Sequence, residues 1–525
     1  MKTLYSYLMM SAFALSASAQ DAFDSGVFSS NDLNGTARYV GMGGALGALG
    51  ADVSAIHSNP AGTGLYRSSD FNMSLSCLFS NKGVLGHDAS RMSVDNIGVV
   101  WAFNVDDSGE GLQYLNFGLS YAKSRNHFGN FSTALDGYNG MFSQTNQIAD
   151  MANVCLANND WGILADIASE NDGSTGGHEH DGFLQYENVV EVDGKLVGRG
   201  FYGVPGASGS YGRATFGNTS EYNINLSANI SDRLFLGATI GICSMDYTRE
   251  SFYSETGLDG TWYEVHNSFK NSGAGVNFKF GVILRPIEDS PFRIGVSFHT
   301  PTWYKMTRSI EAKALYDLNP KHDFMGYSYD FDYSYRTPWK FDASLGYTVG
   351  RDFAIGFEYE YTDLSFAKFT NIDDYFGVYG DYFNAKRNLL ELNDLVSVIY
   401  KPQHTYKIGF EYKPDKDVSV RFGYNYISAP MESDTYKKEI PSYSSTTETD
   451  WVNWKATQRF TVGLGFKLSD SSYLDFAYQT QFQKGDFYAF NDYFTSDDKS
   501  TTYYFPSTEI KNDRSQLIAT LGFRF

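Results

Sequence analysis

The chain has 525 residues and a formal net charge of −20, with 41 Lys and Arg against 61 Asp and Glu. This acidic balance argues against nucleic-acid binding, because phosphate contacts need clustered Lys and Arg. The mean hydropathy is −0.34, and beyond the first residues no apolar run is long enough for a transmembrane helix. Three widely spaced cysteines (Cys77, Cys155 and Cys243) argue against a disulfide framework. Aromatic residues make up 17% of the chain, which favours membrane β-barrel strands over a soluble all-β protein.

The first residues are typical of a secretory signal. Met1 and Lys2 precede an apolar stretch over 4–15, and Ala17-Ser18-Ala19 supplies the small residues of a cleavage site. We therefore expect a signal peptide over 1–19, cut before Gln20.

A glycine-rich apolar segment follows over 35–62 and ends in Asn59-Pro60-Ala61. It is too short and too polar at its ends to cross a membrane as a helix, and too apolar to lie free in water. The lumen of a β-barrel would cover it, so we expect a plug, or hatch, over 20–69. The alternative is a small helix packed against a barrel wall. A dinucleotide-binding loop is excluded, since the third glycine counted from Gly41 would fall on Leu46.

Strict alternation of apolar and small or polar residues predicts the strands. In the last strand Leu517, Leu521 and Phe523 share one face, with Thr520 and Gly522 on the other. The pattern recurs along the chain and few helices are available to cover it, so lipid is the natural covering. We predict an all-β fold over 70–525, a 14-stranded antiparallel transmembrane β-barrel. Its strands lie near 70–80, 94–105, 112–124, 219–231, 233–248, 272–285, 291–304, 330–349, 353–363, 402–413, 417–428, 458–468, 472–485 and 514–525.

The connections alternate between short polar turns and long segments, as periplasmic turns and extracellular loops do. This parity places both termini on the short-turn, periplasmic side. The longest connection, 125–218, is predicted to be a partly helical extracellular loop. The long segments are 81–93, 125–218, 249–271, 305–329, 364–401, 429–457 and 486–513.

Three stretches of the N-terminal segment carry a family resemblance. The stretch Gly35-Thr-Ala-Arg-Tyr-Val-Gly-Met-Gly-Gly is followed by Ser58-Asn-Pro-Ala-Gly62 and then by Tyr66-Arg67-Ser68. Together with His299-Thr-Pro-Thr-Trp-Tyr304 they resemble the FadL/TodX family of outer-membrane transporters of hydrophobic compounds, and most of all its Bacteroidetes branch. A chain that ends on Phe525 after such a strand is also similar to barrels inserted by the barrel-assembly machinery.

The resemblance implies a barrel occluded by an N-terminal hatch that moves to release substrate from an internal pocket. It assigns the hatch and its gating to Asn59, Pro60 and Ala61, and we add Gly43 and Gly44. Proline fixes φ and restrains the residue before it, and Asn can hold the turn by bonding the local backbone.

Candidate substrate-binding residues come from the hatch stripe and from the lumen faces of the strands. They are Leu46, Leu49, Lys279, Arg293, His299 and Lys340. A cation would suit a carboxylate head group. The alternative is a self-neutralising network with the inward acids Asp342, Glu358, Glu360 and Glu411, which would only pack the barrel.

The sequence gives little support for metal binding or catalysis. His178-Glu-His180-Asp181 has metal-ligand residue types but lacks a second ligand cluster, so no metal site is predicted. The acidic tips 371–374 and 497–498 are expected to be solvated. A Gly-x-Ser-x-Gly nucleophile elbow is absent, and we expect neither an enzyme nor a cofactor.

The predicted function is therefore passive transport of hydrophobic compounds, with long-chain fatty acids foremost and aromatic hydrocarbons also compatible. The protein is expected to be a monomer in the outer membrane of a Gram-negative cell, in contact with lipid and lipopolysaccharide. Gly118 is a candidate kink for a lateral opening. Two alternatives remain open: a surface adhesin that uses the long Tyr-rich loops, and a small-solute porin with an open polar lumen.

Overall fold

The computed structural model describes most of the chain. The described residues are 19–80, 85, 89–106, 109–147, 185–187, 191–192, 195–196, 200–202, 205–316, 327–372, 382–435, 449–490, 493–495 and 500–525. The predicted signal peptide apart from Ala19, much of the partly helical loop expected over 125–218, the His178 and His180 motif and the 497–498 tip lie outside them. Among the described helices, none combines the length and apolarity that crossing a membrane requires.

Fourteen antiparallel strands close into one barrel, as the alternation predicted. Each strand pairs with its neighbours in sequence, and the first strand pairs with both the second and the last, so that Asp70 lies opposite Val100 and Arg524. The strands are β1 (Asp70–Phe79), β2 (Ser90–Asn104), β3 (Leu112–Asn126, continued at Gly129–Leu135), β4 (Gly206–Ile230), β5 (Leu234–Gly257), β6 (Trp262–Leu284), β7 (Arg293–His299 and Trp303–Tyr316), β8 (Tyr327–Arg336 and Lys340–Val349), β9 (Phe353–Asp363 and Lys368–Ile372), β10 (Pro402–Asp415), β11 (Val418–Ile427), β12 (Trp451–Lys467), β13 (Ser472–Tyr488) and β14 (Thr508–Lys511 and Arg514–Arg524).

Several strands run further than predicted on the long-connection side. Strands β5 and β6 extend to Gly257 and from Trp262, so most of the predicted loop 249–271 is a hairpin. The predicted loop 364–401 contains a 3-10 turn at Leu364–Phe366 and a helix at Tyr382–Ile399. Three small hairpins pair Gln185–Glu187 with Gly200–Tyr202, Glu191–Val192 with Lys195–Leu196, and Tyr493–Thr495 with Thr502–Tyr504.

The outer face of the wall is apolar. In β12, Phe460, Val462 and Leu464 are 48%, 45% and 46% exposed, whereas the intervening Thr461 is 3% exposed. Comparable apolar outward positions recur on the other strands. A contiguous apolar surface of this kind would favour aggregation in water and is what contact with lipid requires. The barrel is therefore built to span a membrane.

The N-terminal segment, residues 19–69, consists of short helices joined by turns. They are α1 (Ala19–Ser29), α2 (Ala37–Gly41) and two 3-10 turns at Val53–Ile56 and Pro60–Leu65. Side chains cap three of them: Thr36 accepts from Tyr39 N, Asp52 from Ser54 N, and Asn59 from Ala61 N. Pro60 follows at the first helical position, where its missing N–H costs nothing.

The start of this segment lies on the long-connection side of the barrel. Helix α1 packs against α3 (Tyr382–Ile399), and the Tyr400 hydroxyl donates to Phe23 O at 2.6 Å. The other end meets the short-turn side, where Ser69 and the C-terminal Phe525 exchange backbone hydrogen bonds. The prediction that the mature chain starts on the short-turn side therefore needs correction: the segment runs down the lumen rather than entering from below. Parity alone could not reveal this, because it counts strands and ignores the chain before them.

Residues 41–61 form a belt against a collar of inward-facing glycines. A Cβ on any of these glycines would meet the segment: on Gly409 it would meet Met42 O, on Gly356 Ala45 O, and on Gly237 the Pro60 backbone. The collar glycines are Gly98, Gly118, Gly237, Gly281, Gly295, Gly346, Gly356, Gly409, Gly423 and Gly463. They come from β2, β3 and β5 to β12, so the belt follows the inside of the wall. Glycine is required here because backbone approaches backbone.

Inward polar side chains pair the carbonyl groups of the segment. Thr461 Oγ1 donates to Gly41 O at 3.0 Å, Thr239 Oγ1 to Ile56 O at 2.9 Å, and Asn116 Nδ2 to Thr63 O at 2.7 Å. Glu358 accepts from Gly47 N at 2.9 Å. A buried backbone without regular secondary structure needs such partners, because each unpaired group costs about 1–3 kcal/mol.

The collar predicts a test of how the segment is held. Gly409→Ala places a methyl group against Met42 O, so we expect residues 41–50 to leave the wall while the barrel stays folded. Limited proteolysis of the segment should accelerate, and heat-modifiable electrophoretic mobility should persist. The outward substitution Phe357→Val on β9 is the control and should leave proteolysis unchanged. Equal protection of the segment in Gly409→Ala would refute the collar.

Candidate functional site

A cavity of about 330 Å³ lies inside the barrel between the N-terminal segment and the wall. Helix α1 contributes Phe23, Val27 and Phe28, and the belt contributes His57 and Ser58. Its volume lies at the lower end of the range of ligand pockets, about 300–1,000 Å³. The cavity is the candidate functional site.

One part of the lining is aromatic. Phe23 stacks on Trp451 with ring centroids 4.8 Å apart, and Trp451 stacks on Tyr488 at 4.2 Å. Phe28 meets Tyr247 edge-on at 5.9 Å. These residues belong to a buried cluster that also contains Leu392, Val396 and Ile399 of α3. The apolar face of α1 is therefore covered by the wall and by α3, on the long-connection side.

Another part of the lining is strongly charged, and its balance differs from that of the whole chain. Cations outnumber acids among the lining residues, although the chain carries −20 overall. The lining cations are Arg125, Arg213, Arg249, Lys279, Lys340, Lys407, Arg459, Lys511 and Arg514, and the lining acids are Asp24, Asp32, Glu221, Asp342, Glu358, Glu360 and Asp450.

Three of these arginines surround a single carboxylate. Asp32 Oδ1 accepts from Arg514 at 2.9 Å and from Arg459 at 3.3 Å, and Asp32 Oδ2 accepts from Asn126 N at 3.0 Å. Arg125 acts on the same carboxylate electrostatically. The arginines come from β3, β12 and β14, whereas Asp32 belongs to the N-terminal segment.

A second charged group is close to neutral. Asp342, Glu358 and Glu360 offer oxygens within 4.8 Å of one another, a spacing that suits a metal. However, Lys407 Nζ lies 2.7 Å from Glu358 and 3.1 Å from Glu360, and Lys340 Nζ lies 2.9 Å from Glu360. The two ammonium groups supply the positive charge that a metal would bring.

The predicted substrate-binding residues fall into two groups. Lys279, His299 and Lys340 line the cavity, but each contacts a protein acceptor: Lys279 pairs with Glu221 at 2.5 Å, and His299 Nε2 lies 2.7 Å from Ser58 O. Leu46, Leu49 and Arg293 do not line this cavity. Leu46 and Leu49 are buried in the belt, and Arg293 donates to Leu49 O at 2.9 Å. A substrate-binding role for these six residues stays a prediction.

The Asn59-Pro60-Ala61 turn joins two parts of the belt to the wall. Asn59 Nδ2 donates to Gly47 O at 2.8 Å, while Asn59 Oδ1 accepts from Ala61 N at 3.2 Å. Thr63 Oγ1 donates to Pro60 O at 2.8 Å, and the turn rests on Gly237 and Gly281. Gly43 and Gly44 adopt positive φ of 63° and 81°, which lets the chain bend just before Leu46. A gating role for these residues stays a prediction.

A row of ion pairs joins α2, which leads into the belt, to the wall. Arg38 Nε lies 3.2 Å from Glu411, which lies 2.7 Å from Arg421, which lies 2.6 Å from Asp475. Arg38 also donates to Ala51 O at 2.8 Å. Two cations and two carboxylates alternate, so the desolvated charges are paired.

The surroundings shift the pKa values of groups in the segment. Burial alone would raise the pKa of Asp32, but the guanidinium groups of Arg514, Arg459 and Arg125 lower it below its usual range. Burial, reinforced by the charge of Lys279, lowers the pKa of His57 from 6.5 to about 4. Asp32 is therefore charged and His57 neutral near pH 7.

The arginine site escaped prediction because its members are remote in sequence. Strand alternation placed Phe460 outward, and this implies an inward Arg459. Arg125 follows the predicted strand 112–124 and Arg514 begins the predicted strand 514–525, and strand alternation gives little guidance on which way such end residues face. The partner Asp32 lies in the segment, whose path no periodicity fixes.

The comparisons with known proteins find similarity among solved structures. No protein-family model and no curated protein matches the chain. Among solved structures it is similar to the toluene transporter TbuX of Ralstonia pickettii, with 11% identity and a TM-score of 0.49, covering 94% of this chain and 99% of that one. A Pseudomonas aeruginosa FadL homologue and the toluene transporter TodX of P. putida show 13% and 12% identity at the same TM-score and coverage.

Matches at this identity and TM-score carry no argument about this chain, and the resemblance to the Bacteroidetes branch stays a prediction.

Asn59 offers a near-isosteric test of the belt. Asn59→Asp keeps the acceptor for Ala61 N but replaces the donor to Gly47 O by a carboxylate oxygen. We expect the belt to be destabilised by about 1–3 kcal/mol, the cost of an unsatisfied buried group. Hydrogen exchange of amides 45–62 should accelerate, while strand amides stay protected. Ser58→Ala, which removes a weaker 3.3 Å bond to Ser54 O, is the control. Unchanged exchange in Asn59→Asp would contradict this role.

The pKa of His57 predicts a pH dependence. Because its pKa is lower in the docked segment than in the unfolded chain, protonation favours release. The contribution of neutral His57 to the stability of the docked segment is complete above about pH 6.5 and is lost as the pH falls toward 4. Proteolysis of the segment should therefore be faster at pH 5 than at pH 7.5, and His57→Gln should reduce this difference. An undiminished difference in His57→Gln would assign the effect to other groups.

Proposed function

We propose that the protein is a passive outer-membrane transporter of hydrophobic compounds that carry an acid group, with long-chain fatty acids as substrates. One observation carries the proposal: a cavity inside a membrane-spanning barrel combines an aromatic lining with an excess of cations over acids. A molecule with an apolar chain and a carboxylate matches both parts.

The aromatic part suits the hydrocarbon chain. Phe23 and Phe28 of α1 face Trp451 and Tyr247, so an apolar ligand would find contacts on both the segment and the wall. Burial of apolar area contributes about 25 cal/mol per Å². Because lipopolysaccharide hinders direct partitioning into the membrane, such a ligand needs a protected passage.

The charged part suits an acid group and disfavours two other substrates. A neutral aromatic hydrocarbon gains less from Arg125, Arg459 and Arg514 than an anion does, because desolvated guanidinium groups bind a carboxylate by charge-assisted hydrogen bonds. A small-solute porin needs an open polar lumen, whereas here the N-terminal segment occupies the lumen and its belt follows the inside of the wall along the collar glycines of ten strands.

In this proposal residues 20–69 act as the hatch, and the Asn59-Pro60-Ala61 turn and Gly43-Gly44 bend are where it moves. The belt meets the wall through backbone contacts and single hydrogen bonds, which a shift of a few ångströms would break. The protein acts as a monomer surrounded by lipid and lipopolysaccharide. The strand ending in Phe525 serves recognition by the barrel-assembly machinery.

Reconstituted vesicles test the proposal. The intact protein should admit long-chain fatty acids, detected by an entrapped fatty-acid probe, and should give no steady ionic conductance in planar bilayers. Removal of residues 21–66 should open conductance and abolish the preference for hydrophobic solutes. Heat-modifiable mobility verifies that the shortened protein is folded.

Two outcomes would contradict the proposal. Steady conductance of the intact protein would indicate a porin. Fatty-acid entry that is no faster than in protein-free vesicles would leave the barrel without a transport role, as a surface adhesin requires.

A further inference from the structure

Asp32 holds the N-terminal segment at a site with more positive charge than it can neutralise. Its carboxylate is the one acid hydrogen-bonded to Arg459 and Arg514 among the described residues, and Arg125 adds a third positive charge. The side chains of Arg459 and Arg514 are only 7% and 11% exposed. Uncompensated buried charge is costly, so the site favours further negative charge.

The arginines also retain unused donors. In the described part of the chain, the buried Nε atoms of Arg125 and Arg514 have no hydrogen-bond partner. Arg459 Nε donates to the neutral Gln481 Oε1 at 2.9 Å. All three arginines line the cavity, as does Asp32. A carboxylate that takes the place of Asp32 would therefore find donors that the protein leaves unsatisfied.

We propose that Arg125, Arg459 and Arg514 form an anion-binding site that Asp32 occupies in the closed state, and that the carboxylate of a bound fatty acid takes the place of Asp32. The inference rests on the proposed function and adds how substrate and segment are coupled. A ligand carboxylate can bind two guanidinium groups in fork geometry. A fork on Arg514 uses Nε and Nη2, and Nη2 is the donor that Asp32 holds at 2.9 Å, so Asp32 loses this partner and leaves.

The position of Asp32 gives this exchange a consequence. Asp32 follows α1 and precedes α2, and its own N–H donates to Ser124 O at 2.8 Å. Next to it, Leu33 O accepts from Gln479 at 3.1 Å, and Asn34 Nδ2 donates to Lys123 O at 3.1 Å. Release of Asp32 removes a charged anchor between α1 and the belt, where its neighbours Leu33 and Asn34 make neutral hydrogen bonds.

The experiment compares hexadecanoic acid with its methyl ester, using the full-length protein in nanodiscs. In the wild type the acid, but not the ester, should accelerate proteolysis of residues 20–36. Arg514→Gln should weaken binding of the acid at least tenfold and binding of the ester less than twofold. Arg514→Lys should recover part of the loss, because it keeps the charge without the fork. Asp32→Asn, which removes the competitor, should strengthen binding of the acid and leave the ester unchanged.

Lys511→Gln is the matched control, an exposed cation at the cavity lining that should not change the ratio of acid to ester binding. Sodium acetate separates the two sources of a carboxylate. Exposure of the segment by acetate alone would overturn the assignment to an amphiphile.

The inference fails if Arg514→Gln weakens acid and ester equally, or if Asp32→Asn weakens the acid. Circular dichroism and heat-modifiable mobility verify folding, and the Arg514→Lys comparison decides the matter if Asp32→Asn does not fold. If the wild type binds neither ligand, the proposed function itself is wrong. Equal wild-type affinity for acid and ester would overturn only the anion site.

Discussion

Every backbone polar group inside the barrel has to find a partner, and this requirement shapes the N-terminal segment. The segment has little regular secondary structure, so the wall supplies the partners: Thr461, Thr239 and Asn116 each donate to one of its carbonyl groups. Close approach is possible only because inward glycines such as Gly409 leave room. An apolar chain that would be insoluble in water thus becomes an ordered belt in the lumen.

The same contacts explain how a firmly held segment can be released. The belt is seated backbone to backbone, with single hydrogen bonds and a few charged anchors, of which Arg38 and Asp32 are two. Each contact is worth little alone, and all act together while the belt stays in place. Loss of a charged anchor is therefore expected to weaken the whole arrangement.

Much of the fold could be predicted because each strand repeats a local rule. Phe460 and Val462 face lipid and Thr461 faces the lumen, and this period of two fixes strand count and parity. The helix at Tyr382–Ile399 was missed because it replaces strand pairing in a connection where no alternation applies. The site could be predicted only in part. Lys279 was correctly placed inward, but its ion pair with Glu221 and the meeting of three arginines at Asp32 join residues that are remote in sequence, and strand periodicity does not predict such contacts.

A reversible tether tests most directly whether the belt has to move. A Cβ on Gly47 would lie 3.1 Å from that of Ser344, near disulfide reach, so Gly47→Cys with Ser344→Cys links belt to wall in a protein whose native cysteines are serine. Ser254→Cys with Glu264→Cys, register partners in the β5–β6 hairpin away from the belt, links two wall strands as the control. We predict that oxidation stops fatty-acid entry into vesicles only in the belt-tethered protein, and that reduction restores it. Equal transport by the oxidised and reduced belt-tethered protein would contradict a moving hatch.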